Sequence, residues 1–156
     1  PIILVAPKCE PESFKPRGRI VVPVDGSETS TDILALAASW AIAYEMDPQV
    51  VTVIDPRVEA AIGVPINVAT EANLPSGVAA GLRTEIGRNV DWEVLHSENV
   101  ADAIADRARD VGASIIAMST HGRTGLPRVV MGSVTMAVVH KATCPVLVHR
   151  PLRLPT

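Results

Sequence analysis

The residues best suited to bind a ligand lie in MSTHGRTGLPRVVMGSVT, 118–135, where glycines are spaced through a segment that leads into an apolar helical pattern. Gly122, Gly125 and Gly132 allow tight turns and close backbone approach. Ser133 stands where that helix is expected to begin. The first turn of a helix carries unpaired N–H groups and the positive end of the helix dipole, so the chemistry implied is anion binding, above all of phosphate. As ordinary structure, the same residues are a helix cap and turn formers, with Arg123 and Arg128 solvated. A second stretch, Val24-Asp25-Gly26-Ser27, ends another apolar run. Asp25 there is either a turn residue or a carboxylate for Mg²⁺ held by phosphates.

Other chemistries find less support. The phosphate loop G-x-x-x-x-G-K-[ST] does not occur, and no G-x-G-x-x-G follows a strand pattern. His96, His121, His140 and His149 have no mutual spacing that suggests a metal site. Cys9 and Cys144 are the two cysteines and form no C-x-x-C pair, which points to a reducing compartment, the cytoplasm. Nothing near Cys144 in sequence would lower its pKa, so a structural role is expected. A formal net charge of -3 supplies no basic patch for DNA or RNA. One Phe and one Tyr leave little for a base-stacking platform. No apolar run approaches the roughly 20 residues of a membrane helix, and no signal-peptide pattern opens the chain.

These candidates need a scaffold, and the remaining pattern supplies one. Apolar residues are 47% of the 156, aromatics only 3%, the balance of buried parallel strands under Ala-rich helices. Strands are expected at 19–24, 49–54, 91–95, 114–118 and 145–149. Helices are expected after Ser27 or Ser30, with Ile33, Leu36, Ala37, Trp40, Ala41 and Tyr44 inward, and at 76–90, 98–111 and 133–141. Ser97 or Asn99 would cap the third, whose inner face is Val100, Ala103, Ile104, Ala108 and Val111. Residues 57–75 read as a loop with at most one helical turn. Alternating strands and helices predict an α/β fold, a three-layer α/β/α sandwich with a parallel sheet and right-handed crossovers. Ligands of such sheets bind beyond the carboxyl ends of the strands. That places 24–27 and 118–135 at one end of the molecule.

One internal similarity stands apart: PIILVAP at 1–7 parallels PVLVHRP at 145–151. Two short apolar strands alike by chance explain it, as does a chain cut from the second half of a tandem protein. On the second reading residues 1–16 are a strand and linker from a preceding domain, 17–151 the domain proper and 152–156 a tail. The strand at 1–5 could then pair antiparallel with 145–148.

The chain resembles the universal stress proteins over 19–150, through VVPVDGSETS, ENVADAIADRARDVGASIIAMSTHGRTGL and GSVTMAVVHKATCPVLVHR. Nucleotide binders of that family carry Gly, two residues, Gly, nine residues, Gly and Ser or Thr. Gly122, Gly132 and Ser133 match, while Ser119 stands at the first Gly. The resemblance implies a five-stranded parallel sheet of order 3-2-1-4-5, adenine nucleotide alpha hydrolase-like, with an extra N-terminal strand as an option. It implies ATP or another adenine nucleotide as ligand, with or without Mg²⁺. Pro23, Val24 and Asp25 would lie against adenine and ribose, Val53 beside the base, and Met118 and Ser119 by ribose and phosphates. Backbone at His121, Gly122, Arg123, Gly132, Ser133, Val134 and Thr135 would wrap the phosphates, with Gly122 and Gly132 leaving them room. The Ser119 hydroxyl could itself donate to a phosphate oxygen. The resemblance also implies a homodimer, or a tandem pseudo-dimer, through the last strand.

Three functions follow as expectations: a regulatory nucleotide-binding domain of the stress response, a slow ATP hydrolase using Asp25 or His121, and an interaction module without nucleotide. No catalytic residue is identified, so at most weak ATPase activity is expected.

Overall fold

Short runs of Val, Ile and Ala, stopped by Gly, Asp or Pro, form the sheet. In the computed structural model, which describes residues 1–10, 12–57, 68–120 and 132–150, the strands are β1 (Ile2–Leu4), β2 (Arg19–Pro23), β3 (Asp47–Ile54), β4 (Asp91–His96), β5 (Ala113–Ser119) and β6 (Val146–His149). The helices are α1 (Glu28–Thr31), α2 (Leu34–Ala43), α3 (Val68–Ile86), α4 (Val100–Asp110) and α5 (Ser133–Lys141). The sheet runs β1-β6-β5-β2-β3-β4. Its five strands from β2 to β6 pair in parallel, in the expected order 3-2-1-4-5 when numbered from β2. β1 adds a sixth strand, antiparallel to β6.

Strand alternation sorts the core into two layers. Val21, Val51, Ile116, Met118, Val146 and Val148 face α4 and α5, through Ala101, Ile104, Ala108 and Val138. Ile20, Val22, Val50, Ile115, Ala117 and Leu147 face α2 and α3, through Ile33, Ala37, Ala38, Ala79 and Leu82. Alanines on the helix faces let the helices lie close to the strands.

The helix expected after Ser27 is split. Ser27 caps α1 by accepting the Ser30 N–H, but Ser30 Oγ donates back to the Ser27 carbonyl at 2.9 Å and Thr31 Oγ1 to the Glu28 carbonyl at 2.7 Å. These hydroxyls compete for carbonyls that a continuous helix would use, and α2 restarts at Leu34. α3 starts well before 76 and runs through Pro75. Part of the stretch expected as loop is therefore helix, and the rest, 58–67, lies outside the described residues. Proline costs one ladder bond, yet Leu74, Val78, Ala79, Leu82 and Ile86 recur along one face and pack on the second core layer. Burial overrides the breaker. Asn99 caps α4, accepting from Asp102 N–H at 3.2 Å, and the buried inner face includes Ala101 and Ala105, with Ala103 only partly buried.

Candidate functional site

The chain leaves β2 toward α1 and α2 on one side of the sheet and leaves β5 toward α5 on the other. The two strands are neighbours, so a crevice opens between their exits at the carboxyl end. A cavity of about 350 Å³ lies there, lined by β2 and β3 residues, by Val100 and Ile104 of α4, by Met118 to Thr120, and by Gly132 to Thr135. Its size falls in the ordinary range for small-molecule sites, roughly 300–1,000 Å³.

One wall is apolar. Val51 and Val53 share a face of β3, Ile104 rises from α4, and Met118 closes the row from β5. The opposite wall is the start of α5. Gly132 occupies the N-cap and supplies no side-chain cap, and the first helical N–H with a partner one turn back is that of Met136, to the Gly132 carbonyl at 3.0 Å. The N–H groups of Ser133, Val134 and Thr135 have no acceptor within the helix. Together with the dipole they make this rim attractive to an anion.

Asp25 serves the turn leaving β2. Its Oδ1 accepts both the N–H and the hydroxyl of Ser27, at 2.9 and 2.6 Å, and Gly26 takes φ +79°. The side chain thus mimics a backbone turn. It is the one carboxylate on the cavity wall among the described residues.

Ten of the residues singled out from sequence line this one cavity: Pro23, Val24, Asp25, Val53, Met118, Ser119, Gly132, Ser133, Val134 and Thr135. His121, Gly122 and Arg123 lie outside the described residues. Three of the ten are also set in close surroundings within the protein. The Ser119 hydroxyl is sealed from solvent and has no hydrogen-bond partner among the described residues. Its strand parity is that of Ile115 and Ala117, whose side chains pack on the α2 and α3 layer, opposite Met118. Thr135 is buried and donates Oγ1 to the Ser119 carbonyl at 3.1 Å, stapling α5 to β5. At Gly132 the tight space is within the protein: a Cβ would fall on the Thr120 carbonyl oxygen, to which the Gly132 N–H also donates at 2.8 Å.

An orphaned buried hydroxyl costs about 1–3 kcal/mol. Ser119→Ala should accordingly raise stability by about 1 kcal/mol, seen as a higher urea midpoint at unchanged m, because the carbonyl bonded to Thr135 stays. A fall in midpoint would show that the hydroxyl is satisfied after all.

Sequence reasoning missed Ser30, Val51, Val100, Ile104 and Thr120 as wall residues. Val51 carried a signal, two positions before Val53 on the same strand face. So did Val100 and Ile104, which are four apart on an amphipathic helix but read only as core. Outside the cavity, burial pushes the Cys144 thiol up to about 12, which keeps it protonated and inert. His96 Nε2 meets Glu71 Oε2 at 3.2 Å. No group of three or more metal-ligating side chains occurs among the described residues, and no described helix is long and apolar enough to cross a membrane.

Residues 16–150 match the model of the universal stress protein family. The universal stress protein MJ0531 of Methanocaldococcus jannaschii is 32% identical over 144 residues, covering 83% of this chain and 80% of that protein. The structure of MJ0577 from the same organism superposes with TM-score 0.76 at 26% identity, covering 89% of this chain and 99% of that one. The universal stress protein of Archaeoglobus fulgidus in complex with dAMP shares the fold, with TM-score 0.59, 22% identity, and coverage of 86% and 97%.

Proposed function

The chain belongs to the universal stress protein family, and from that premise we propose that its cavity binds ATP or a related adenine nucleotide as a regulatory ligand of a cytoplasmic stress response. The carrying observation is that an apolar slot and an uncapped helix N-terminus share one cavity at the sheet's switch point. The slot suits a purine. The helix start suits phosphates.

Adenine and ribose would rest between Pro23, Val24, Asp25 and Val53 and the side chains of Ile104 and Met118. The N–H groups at Ser133, Val134 and Thr135 would meet the phosphates, completed by His121, Gly122 and Arg123 as the family resemblance implies. A protein of this fold solved with dAMP supports an adenine nucleotide as the ligand class. A Mg²⁺ riding on the phosphates would find one carboxylate on the described wall, Asp25, whose Oδ1 already accepts two hydrogen bonds.

Hydrolysis would need a positioned base for water. The described wall offers only Asp25, which is engaged in its turn. A ligand that stabilises one state by mass action is the better account. Within the same reading, the domain pairs with a second copy or with a tandem neighbour on the β6 side of the sheet, where β1 is now the outermost strand.

Calorimetry tests the site. ATP should bind the unmodified chain, and Val53→Trp, which projects an indole from a half-buried position into the slot, should weaken binding at least tenfold (about 1.4 kcal/mol) while leaving the circular dichroism spectrum intact. Absence of binding at millimolar ATP would overturn the reading. Undiminished binding in the variant would move the site elsewhere. Phosphate release that disappears in Asp25→Ala would restore the hydrolase.

A further inference from the structure

At the far side of the sheet from β1 and β6, β4 is the outermost strand. The Ser97 N–H donates to the Ile54 carbonyl at 3.0 Å, and Ile54 lies opposite His96 in the parallel register. Successive residues of a strand turn their N–H and C=O to opposite sides. Asp91, Glu93, Leu95 and Ser97 therefore turn theirs to β3, while Trp92, Val94 and His96 turn theirs outward, to an edge that no described strand occupies. Such an edge is a template for a further strand.

Charge is arranged around the first half of that edge. An open cavity of about 540 Å³ wraps the start of β4. Arg83, exposed in the last turn of α3, borders it on one face of the sheet, and Arg107 of α4 borders it on the other, with Arg19 on the strand face of Val21. The two carboxylates of the cavity are already held. Glu93 Oε2 meets Arg107 Nη2 at 2.6 Å and accepts from Gln49 Nε2 at 3.3 Å. Asp91 meets Arg19 Nη1 at 3.4 Å and accepts from Asn89 Nδ2 at 3.2 Å. Arg83 has no carboxylate partner among the described residues. Three guanidiniums against two carboxylates leave donors and positive charge over. Trp92, 43% exposed, adds apolar surface on the Arg83 side, the face it shares with Val94.

We propose that the β4 edge is a docking site for an extended acidic segment of a partner protein, which adds a strand to the sheet and sets acidic side chains on both of its faces. Main-chain pairing with Trp92, Val94 and His96 supplies affinity, and the guanidiniums supply selection. Consecutive residues of an added strand point to opposite faces, so two adjacent acids reach Arg83 on one side and Arg19 or Arg107 on the other. An apolar strand would lie against the charges of Asp91 and Glu93, which discourage it. A basic strand would meet the surplus of like charge. The cavity is at the amino end of the parallel strands and the nucleotide cavity at their carboxyl end, so the docking site does not depend on the reading of a nucleotide as ligand.

Amide hydrogen exchange, followed residue by residue by NMR without nucleotide, tests this separately from ATP binding. In the chain alone the N–H groups of Trp92, Val94 and His96 should exchange freely, while those of Glu93 and Leu95 are protected by β3. Millimolar acetylated and amidated peptide TVTVEE, whose acids meet the cavity when it lies antiparallel on β4, should slow the three outward groups about tenfold. The peptide TVTVKK should leave them unchanged. Arg83→Glu, at an exposed position of α3, should weaken binding of TVTVEE about tenfold at low salt and less at high salt. Outward groups already protected in the chain alone, unaffected by TVTVEE, or slowed as much by TVTVKK overturn the proposal. So does undiminished binding to Arg83→Glu, or a Glu-Glu dipeptide that binds as tightly as TVTVEE, which would make the cavity a small-anion site.

Discussion

Gly132→Ala should lower stability by about 3 kcal/mol and weaken nucleotide binding with it. The added Cβ would meet the Thr120 carbonyl oxygen, and the carbonyl carbon lies 3.4 Å away. These are backbone atoms, so no side-chain rotation relieves the clash. The same oxygen accepts the Gly132 N–H, so moving the backbone apart breaks a hydrogen bond and displaces the start of α5. The N–H groups of Ser133, Val134 and Thr135 would then point elsewhere. Gly77→Ala is the control: it lies inside α3 with nothing within 4 Å of a Cβ, and should gain up to about 1 kcal/mol in helix propensity. Urea unfolding of the two variants should move in opposite directions. Equal and small shifts would show that the turn at 132 yields without cost.

Ile104→Ala should cost about 2–5 kcal/mol, against about 0.5–1.5 for Ile104→Val. Ile104 is only 2% exposed, packs in the first core layer and also lines the cavity. One side chain thus holds α4 on the sheet and forms the apolar wall. The alanine variant should lose affinity for ATP as well as stability, because the void is continuous with the slot. A cost under about 1 kcal/mol would mean that α4 settles onto the sheet and fills the gap.

These two positions show where sequence reasoning reaches and where it stops. Its spacing from Gly122 singles out Gly132, but for phosphate room. Its constraint comes from Thr120, twelve residues earlier and just past the end of β5. Helical periodicity, a local signal, identifies Ile104 as inner-face core. That the same face also borders a cavity depends on where α4 lands against β3 and β5. Ser119 is placed beside a ligand by its position in a motif, and the structure puts it on the cavity wall with its hydroxyl sealed from solvent. Local rules start α3 after Pro75 because they count the lost hydrogen bond and not the core contacts of Leu74 and Val78.

What the sequence by itself determined is the set of local patterns: β-branched runs that must be strands, caps at Ser27 or Ser30 and at Ser97 or Asn99, the alternation of strand and helix, and through that alternation the parallel sheet and the end at which a ligand would sit. Those are set by backbone propensity and burial period, which act over a few residues. Only the tertiary structure decided which side chains share the cavity, why Gly132 has no room for a Cβ, and that β1 pairs with β6. These depend on contacts between segments up to about 145 residues apart. Local pattern carries no information on which of several matching edges will meet.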